Sequence, residues 1–335
     1  TAKILYADSL VGENISDLSL YGLDKPSLTI VMTDTENVIN KINFGKQTGT
    51  KSGYYANINN ENNIYIVSTD IYNTLNGGLS SIRNKILVDI SEDVIGITIK
   101  NEKSAYTIQR KTAENVNANS LTEWEMVTPY LKDVNQDIFE ENIIKVLDFT
   151  ISEFVDDNPS DYSKYGLKKP KFYITVNTAS KTYNILLGND KDANSIYIKL
   201  AEEPNVYTIS KDLVEYRNYT PVYLLESYVF IRKIICTDSI VFNNGENYTL
   251  KINDSDFYVN DKKVDETSFR STFADIVSPL ISGETDGGKV GRELCRFTFN
   301  YNTNTPSETV VYYEYGDMYA AASVNGNIDF YVKRS

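Results

Sequence analysis

One loop in the middle of the chain carries the residues closest to a metal site. Asp190, Asp192 and Asn194 have the spacing of the first three ligands of a calcium-binding loop. The sixth position is Ser195, where such loops need glycine, and the twelfth is Ala201, where a bidentate glutamate belongs. A polar hairpin turn is therefore the favoured interpretation, and these three residues are the metal candidate that the sequence offers.

A second segment nearly matches a phosphate-binding loop. Gly283 to Lys289 fits the spacing GxxxxGK, but Val290 stands where a Ser or Thr must bind Mg²⁺. The negative charges of Glu284 and Asp286 would also repel a phosphate. We interpret this segment as a linker and predict no nucleotide or other cofactor.

The remaining candidates for catalysis are carboxylates, because the chain contains no histidine. This absence excludes Ser-His-Asp and Cys-His catalysis, histidine-ligated zinc and a histidine pH switch. Asp156 and Asp157 are adjacent, and paired carboxylates serve acid–base chemistry when their environments separate their pKa values. Adjacent loop residues usually point to water, so a solvated acidic pair is the favoured interpretation and no catalytic residue is assigned.

The chain has two cysteines, Cys236 and Cys295, and no CxxC motif for zinc or redox chemistry. One disulfide and two buried thiols are both open interpretations. Free cysteine is among the most buried residue types, which favours the two thiols.

Charge and hydropathy exclude several classes of partner. In a chain of 335 residues, 33 Lys and Arg oppose 46 Asp and Glu, which gives a net charge of −13. A sequence-independent nucleic-acid binder and a protein of anionic membrane surfaces both need a basic face. No run of about 18 apolar residues occurs, so direct membrane insertion of this segment is not expected.

Internal repetition is the strongest signal in the sequence. The segment Asp17–Pro26, DLSLYGLDKP, recurs 144 residues later at Asp161–Pro170 as DYSKYGLKKP. The alternating apolar residues that follow also align, Leu28, Ile30 and Met32 with Phe172, Ile174 and Val176. Duplication followed by drift leaves such a pattern, and we name the two copies A1 and A2.

A second type of unit, named B, follows each of these A units. Its copies share apolar residues spaced i, i+4, i+7 and i+8, which predicts an amphipathic helix. The aligned residues are Phe139, Ile143, Val146 and Leu147 in B1 and Phe269, Phe273, Ile276 and Val277 in B2. The rest of the chain resembles a third A unit that lacks the Tyr-Gly-Leu-x-x-Pro segment.

The repeat therefore predicts six segments along the chain. They are the end of a truncated preceding unit at 1–9, A1 at 10–90, B1 at 91–150, A2 at 151–230, B2 at 231–284 and a degenerate third A unit at 285–335. We expect the natural gene to encode another B unit upstream of Thr1.

Each complete A unit is predicted to open with a short helical turn. Gly22 and Gly166 suit its left-handed cap, and Pro26 and Pro170 stop the helix from resuming and lead into a strand. The flanking residues interpreted as buried structural side chains are Tyr21, Leu23, Tyr165 and Leu167. Two predicted hairpins follow in each unit.

The predicted fold class is α+β, with tandem repeats of antiparallel β-meander and hairpin units that each carry short helices. The 26 Tyr and 13 Phe dominate the predicted strands, as β-sheets favour. Core and cross-strand packing is their favoured role, and an exposed aromatic face for glycans or peptides is the alternative. The single tryptophan, Trp124, aligns with Phe257 of B2 and is assigned to the core for the same reason.

The repeated segments resemble a bacterial family known as domain of unknown function 4340. The resemblance rests on Phe154–Pro170, Leu18–Pro26, Gly53–Ala56, Ile64–Ser68 and the stretch from Trp124 to Pro129. It covers most of the chain and weakens in the third A unit. Membership implies an N-terminal transmembrane anchor, a location outside the cytoplasm and genes beside those of ABC transporters, and it implies no catalytic residues.

We therefore expect a non-enzymatic, extracytoplasmic repeat protein that serves a membrane ABC transporter as an accessory or scaffold. Its anchor to the cell membrane is expected in the missing N-terminus. Repeat arrays present extended surfaces that suit such partners. The alternatives are a cell-surface module that binds glycans or peptides, and a hydrolase with two carboxylates about 5–10 Å apart in a cleft. No nucleic-acid partner is expected.

Overall fold

The computed structural model describes residues 6–33, 36–90, 92–112, 120–286 and 289–334. The chain forms two compact units, Thr1–Lys85 and Ile86–Ser335. Antiparallel β-sheets with a few short helices make up both units, which confirms the predicted α+β architecture of β-meanders. Within the described residues, no helix combines the length and the apolar composition that crossing a membrane requires.

The first unit contains one five-stranded sheet. Its elements are β1 Ser9–Gly12, a 3-10 turn Leu18–Tyr21, β2 Leu28–Thr33, β3 Ile39–Gln47, β4 Gly53–Ile58, β5 Ile64–Ser68, α1 Thr69–Asn76 and α2 Leu79–Ile82. The strands pair antiparallel in the order β1-β5-β4-β3-β2. The two edges of this sheet are therefore β1 and β2.

The second unit begins with a nine-stranded sheet. Its strands are β6 Val94–Lys100, β7 Ala105–Arg110, β8 Trp124–Thr128, β9 Lys132–Asp133, β10 Glu153–Asp156, β11 Phe172–Thr178, β12 Thr182–Asp190, β13 Ser195–Leu200 and β14 Val206–Ser210. Its helical segments are α3 Gln136–Asn142 and 3-10 turns at Ile144–Val146, Ser163–Tyr165, Lys211–Asn218 and Pro221–Leu224. The strand order is β10-β14-β13-β12-β11-β6-β7-β8-β9.

A second nine-stranded sheet completes this unit. Its elements are a 3-10 turn Ile234–Cys236, β15 Thr237–Asn243, β16 Asn247–Asn253, β17 Asp256–Val259, β18 Lys262–Val264, α4 Glu266–Val277, β19 Ile281–Glu284, β20 Glu293–Tyr301, β21 Glu308–Tyr315, β22 Tyr319–Val324 and β23 Asn327–Lys333. The strand order is β18-β17-β16-β15-β20-β21-β22-β23-β19.

One five-strand arrangement occurs three times in these sheets. In each copy the strand that precedes the hairpins lies outermost and pairs with the last strand, as β1 with β5, β10 with β14 and β19 with β23. The third copy is complete, although its sequence lacks the Tyr-Gly-Leu-x-x-Pro segment.

The B units add four strands each, arranged in chain order. The first strand of B1, β6, pairs with the first hairpin strand of A2, β11. In the same way β15 of B2 pairs with β20 of the third A unit. Each nine-stranded sheet therefore joins a B unit to the A unit that follows it in the chain.

The predicted amphipathic stripes of the B units face the hydrophobic core. The buried stripe residues are Phe139, Ile143 and Leu147 in B1 and Phe269, Phe273 and Val277 in B2. The α-helix of B1 is shorter than the pattern predicts, because it ends at Asn142 and a 3-10 turn carries Ile144–Val146. Ile143 and Ile144 are consecutive β-branched residues, which lowers helix propensity at this point.

The core of the first unit is much smaller than that of the second. Its buried cluster consists of Ile42, Phe44, Ala56, Val67 and Tyr72. The residues of β2 that face this cluster are Leu28, Ile30 and Met32, and all three are only half-buried. The apolar face of this sheet is thus less completely covered along β2 than along its inner strands.

Candidate functional site

The calcium-like loop closes the hairpin between β12 and β13. Asp192 Oδ2 accepts the Ser195 hydroxyl at 2.6 Å, and its Oδ1 accepts the backbone N–H groups of Asn194 and Ser195, each at 2.8 Å. These bonds, that of the Ser195 hydroxyl first, lower the pKa of Asp192. Asp190 lies 2.8 Å from Lys211 Nζ through its Oδ2. The loop carboxylates therefore already stabilise the turn.

The Tyr-Gly-Leu motifs fix the start of each complete A unit. Gly22 and Gly166 have φ of +72° and +71°, the left-handed conformation that glycine adopts readily, and they end 3-10 turns. The side chains of Leu23, Tyr165 and Leu167 are buried, as the sequence indicated.

Tyr21 differs from its counterpart Tyr165, since it is only half-buried. Both rings pack edge-on against a strand tyrosine of their own unit. The Tyr165 hydroxyl also donates to Asp156 Oδ2 at 2.9 Å. The position aligned with Asp156 in A1 is Gly12, so no carboxylate is available there to cover Tyr21.

Gly45 and Gly188 let each motif approach the sheet closely. A Cβ atom on Gly45 would lie 2.1 Å from the carbonyl oxygen of Tyr21, and one on Gly188 would lie 2.0 Å from that of Tyr165. Both distances are far below van der Waals contact, so only glycine fits. Pro26 and Pro170 follow the motifs just ahead of β2 and β11.

Trp124 begins β8 and is only 1% exposed. Its ring packs edge-on against Phe139 at 4.9 Å, and the Arg110 guanidinium lies 5.2 Å from the ring centre. Pro129 follows the strand after a cis peptide bond with Thr128. This segment therefore holds the B1 helix against the sheet.

The acidic pair near the start of A2 is divided between different partners. Besides the Tyr165 hydroxyl, Asp156 Oδ2 faces Lys164 Nζ at 3.6 Å. Asp157 Oδ1 accepts the Asn205 amide at 3.0 Å. The two carboxylates therefore bind separate groups.

Part of the phosphate-loop candidate, residues 287–288, lies outside the described residues. Gly283 and Glu284 belong to β19, and a Cβ atom on Gly283 would lie 2.4 Å from the Tyr331 hydroxyl oxygen. The glycine thus allows an aromatic side chain to pack on the strand. Asp286 Oδ1 accepts the Tyr315 hydroxyl at 3.2 Å.

Both cysteines are free thiols. Cys236 is buried, and Cys295 is half-buried in β20. Burial raises the pKa of the Cys295 thiol, and the nearby Glu293 carboxylate raises it further. The structure thus selects the interpretation without a disulfide.

The structure brings together a set of charged residues that the sequence patterns did not associate. They line a cleft of about 340 Å³, which we name the polar cleft. B1 contributes Lys111, Glu125, Lys132 and Asp133, the end of A2 and the start of B2 contribute Glu226 and residues 229–232, and the third A unit contributes Glu308, Asn325, Asn327, Asp329 and Phe330.

Lys132 lies deep in the polar cleft. Its Nζ donates to the carbonyl oxygens of Tyr228 and Val229, at 2.6 and 3.3 Å. Burial lowers its pKa to about 8, an effect that the neighbouring Asp133 partly opposes. Beside it, Lys111 Nζ binds Asp133 Oδ1 at 2.6 Å, and the Lys111 side chain is 5% exposed.

Arg232 and Glu308 also line the cleft and form a two-bond ion pair. Arg232 Nε and Nη2 lie 2.6 and 2.5 Å from the two carboxylate oxygens of Glu308. The Tyr301 hydroxyl also donates to Glu308, at 2.5 Å, and the guanidinium stacks 4.1 Å from the Phe230 ring centre. Burial disfavours the charge on Glu308, but the bonds from Arg232 prevail and hold its pKa below the usual value.

Two half-buried carboxylates of the polar cleft, Glu226 and Asp329, have no hydrogen-bond partner within the described part of the chain. Burial raises the pKa of Asp329. Burial also raises the pKa of Glu226, and the nearby Lys132 opposes this shift. The cleft therefore presents acceptors for a polar or cationic group beside a buried ammonium that is already bound to the protein.

One sequence signal pointed to this region. The apolar stretch Val222–Cys236 is interrupted by Glu226, Arg232 and Lys233. Charges within an apolar segment are rarely buried without partners, so each of them implies a contact elsewhere in the fold. The identity of those contacts depends on tertiary packing, since Glu308 lies far along the chain.

The fold and the cleft define a protein built from repeated α+β units, in which antiparallel sheets join a B unit to the next A unit. The sequence model of one family, described as domain of unknown function (DUF4340), matches residues 1–123 and 124–280 in two consecutive copies. The chain belongs to this family. No curated protein and no solved structure matches it.

Proposed function

We propose that this chain is a non-enzymatic, extracytoplasmic scaffold that assists a membrane ABC transporter. The observation that carries the proposal is the threefold recurrence of one strand arrangement, of which two copies continue into a B unit within a nine-stranded sheet. Such arrays supply extended surfaces for protein partners. The family's association with transporter genes supports the choice of partner.

The role of the charged groups supports a scaffold over a catalyst. Arg232 and Glu308 join the start of B2 to the third A unit, and Lys132 joins B1 to the end of A2 through two carbonyl oxygens. Charged side chains that bind residues of another A or B unit in this way stabilise the contacts between the units. In this proposal the polar cleft is a junction that holds the A and B segments of the second unit together.

The test is site-specific photo-cross-linking of the full-length protein in its native cells, followed by capture and mass spectrometry. A photoreactive residue replaces Leu131, which is 73% exposed beside the cleft, and in a second variant replaces Ile235, which is 81% exposed. Enrichment of a permease or ATPase subunit from either position supports the proposal. Recovery of cell-wall fragments without transporter subunits overturns it.

The polar cleft favours a second function, binding of a peptide. Glu226 and Asp329 offer unpaired acceptors to an amino or amide group. Its polar lining suits a peptide better than a glycan, since glycan sites rely on exposed aromatic rings. Calorimetric titration with short basic peptides tests this function, and Asp329→Asn together with Glu226→Gln is expected to weaken binding at least tenfold.

A further inference from the structure

The sheet of the first unit ends at β2, although the equivalent strands elsewhere have neighbours on both sides. β2 is the first hairpin strand of A1, as β11 is of A2 and β20 is of the third A unit. β11 pairs with β6 and β20 pairs with β15, and both partners are the first strands of B units. Within the described residues, β2 pairs with β3 alone.

The composition of β2 is unusual for an edge strand. Its sequence, LTIVMT, has no charge, proline or glycine, and its pairing with β3 runs without a register shift. The other sheet edges in the described part of the chain are protected. β9 has two residues, Lys and Asp; β18 begins with two lysines; and β1, β10 and β19 have four residues with a register irregularity. A long, uncharged edge is a template for another strand.

The direction of the backbone groups follows from the ladder on the other side of β3. Asn59 N–H donates to the carbonyl of Lys41, so Lys41 and the alternate residue Asn43 bond to β4. Ile42 and Phe44 then bond to β2, where their partners are Ile30 and Leu28. The intervening residues Thr29, Val31 and Thr33 consequently point their N–H and C=O groups outwards.

The outward and inward backbone groups alternate in the same way in β11, where β6 occupies the equivalent edge. Thr178 N–H donates to Lys181 O within the β11–β12 ladder, so Thr175 and Asn177 turn their backbone groups towards β6. Thr175 pairs there with Thr98. Val31 aligns with Thr175 in the repeat, so the outward groups of β2 match those that bind β6.

Side-chain burial gives independent support. In β11 the core-facing residues Phe172, Ile174 and Val176 are 6%, 0% and 0% exposed. Their counterparts in β2 are only half-buried, and Val31 is 60% exposed. An adjoining strand and the apolar helix of its unit would remove this surface from water.

We infer that β2 is the docking edge for the first strand of a further B unit, which binds antiparallel and extends the sheet of A1 to nine strands. The occupant is a strand of about seven residues with the alternating, β-branched character of Val94–Lys100. The register places its fifth residue opposite Val31, as Thr98, the fifth residue of Val94–Lys100, lies opposite Thr175. This inference does not depend on the proposed transporter role.

The experiment supplies such a unit in the geometry already seen in the chain. Residue 150 of B1 continues into position 151 of A2, which aligns with Ala7. A second copy of residues 86–150 is therefore fused ahead of Ala7 in the full chain. Hydrogen exchange of the Thr29, Val31 and Thr33 amides is expected to slow at least tenfold relative to the unfused chain, because these N–H groups become bonded.

A matched pair of substitutions separates strand docking from nonspecific stabilisation. Val31→Pro removes an outward N–H, which an edge strand tolerates, and is expected to return Thr29 and Thr33 to the exchange rates of the unfused chain. Val31→Thr keeps the N–H and introduces the residue found at the aligned position of A2. It is expected to preserve the protection.

Two results would overturn the inference. The first is unchanged exchange of Thr29, Val31 and Thr33 in the fusion, whether or not the added segment becomes structured. The second is protection of the same amides in the unfused chain that increases with protein concentration, because the edge would then bind a second copy of the chain. Sedimentation at the same concentrations distinguishes this second case.

Discussion

At the scale of single residues, glycine decides how the Tyr-Gly-Leu motifs meet their sheets. Gly45 lies under the carbonyl of Tyr21, and this neighbour is backbone that has no alternative rotamer. Its requirement for glycine comes from a close approach between two distant segments. The alignment of Gly45 with Gly188 marks the position in the sequence, but only the packed structure reveals the reason.

Gly45→Ala is expected to destabilise the first unit by about 2 kcal/mol or more, because the new methyl group must displace backbone. Gly49→Ala is the matched control, since a Cβ atom there would meet nothing within 4 Å. Hydrogen exchange of the β3 and β4 amides measures the difference. Equal exchange in the two variants would contradict the packing described for Gly45.

Lys132 gives the stability of the second unit a distinct pH dependence. Its pKa falls from 10.5 to about 8 on folding. Between these values the unfolded chain holds the proton and the folded chain has released it, so stability rises with pH by up to about 1.4 kcal/mol per unit. Below pH 8 the lysine is protonated in both states and contributes no slope.

The measurement is the free energy of unfolding of the wild type minus that of Lys132→Met, followed from pH 6 to pH 10. Titrating groups that do not interact with Lys132 cancel in this difference. The expected curve is flat below pH 8 and rises above it. A difference that stays flat to pH 10 would show that Lys132 is better solvated than its contacts with Tyr228 and Val229 imply.

At the scale of secondary structure, a polar N-cap side chain begins three of the four α-helices in the described part of the chain. Asn135 Oδ1 accepts the N–H of Ile138 at 3.1 Å and begins α3. Asn135→Ala is expected to cost about 1 kcal/mol, because the first turn loses its cap. Asn135→Asp keeps an acceptor and serves as the control. Urea unfolding of the full chain measures both variants, and equal losses would show that the cap contributes nothing.

Strands were predictable where one face is buried, because alternation then specifies which side chains point inwards. The hairpins of both complete A units illustrate this. The pairing of β6 with β11 was not predictable, since it joins units that are separated by the B1 helix and its own strands. Register between units depends on tertiary packing, about which a local pattern carries no information.

The residues of the polar cleft were likewise not predictable from local sequence patterns. Its walls come from residues as distant as Lys111 and Phe330, and no motif spacing connects them. The charges within Val222–Cys236 indicated that partners exist, and the ion pair of Arg232 with Glu308 supplies one of them. A sequence pattern can therefore report an unsatisfied group without naming the residue that satisfies it.

At the scale of the whole molecule, the second unit should fold without the first. A fragment of residues 86–335 is expected to give a dispersed ¹H–¹⁵N spectrum, because it contains both nine-stranded sheets and their common core. A fragment of residues 86–284 lacks β20, so β15 loses its neighbour and Phe230 loses its contact with Phe299. Its B2 residues are expected to be undispersed, and a dispersed spectrum would contradict the sheet order.

The joining of each B unit to the following A unit has a consequence for how such a chain changes in length. The sequence repeats as A then B, whereas the sheets form as B then A. Insertion of one B–A pair between A1 and B1 would add one complete nine-stranded sheet and leave every existing strand pair intact. Recombination between repeats can therefore add or remove whole sheets. The number of sheets can then change in evolution while the strand pairs that stabilise each remaining sheet are kept.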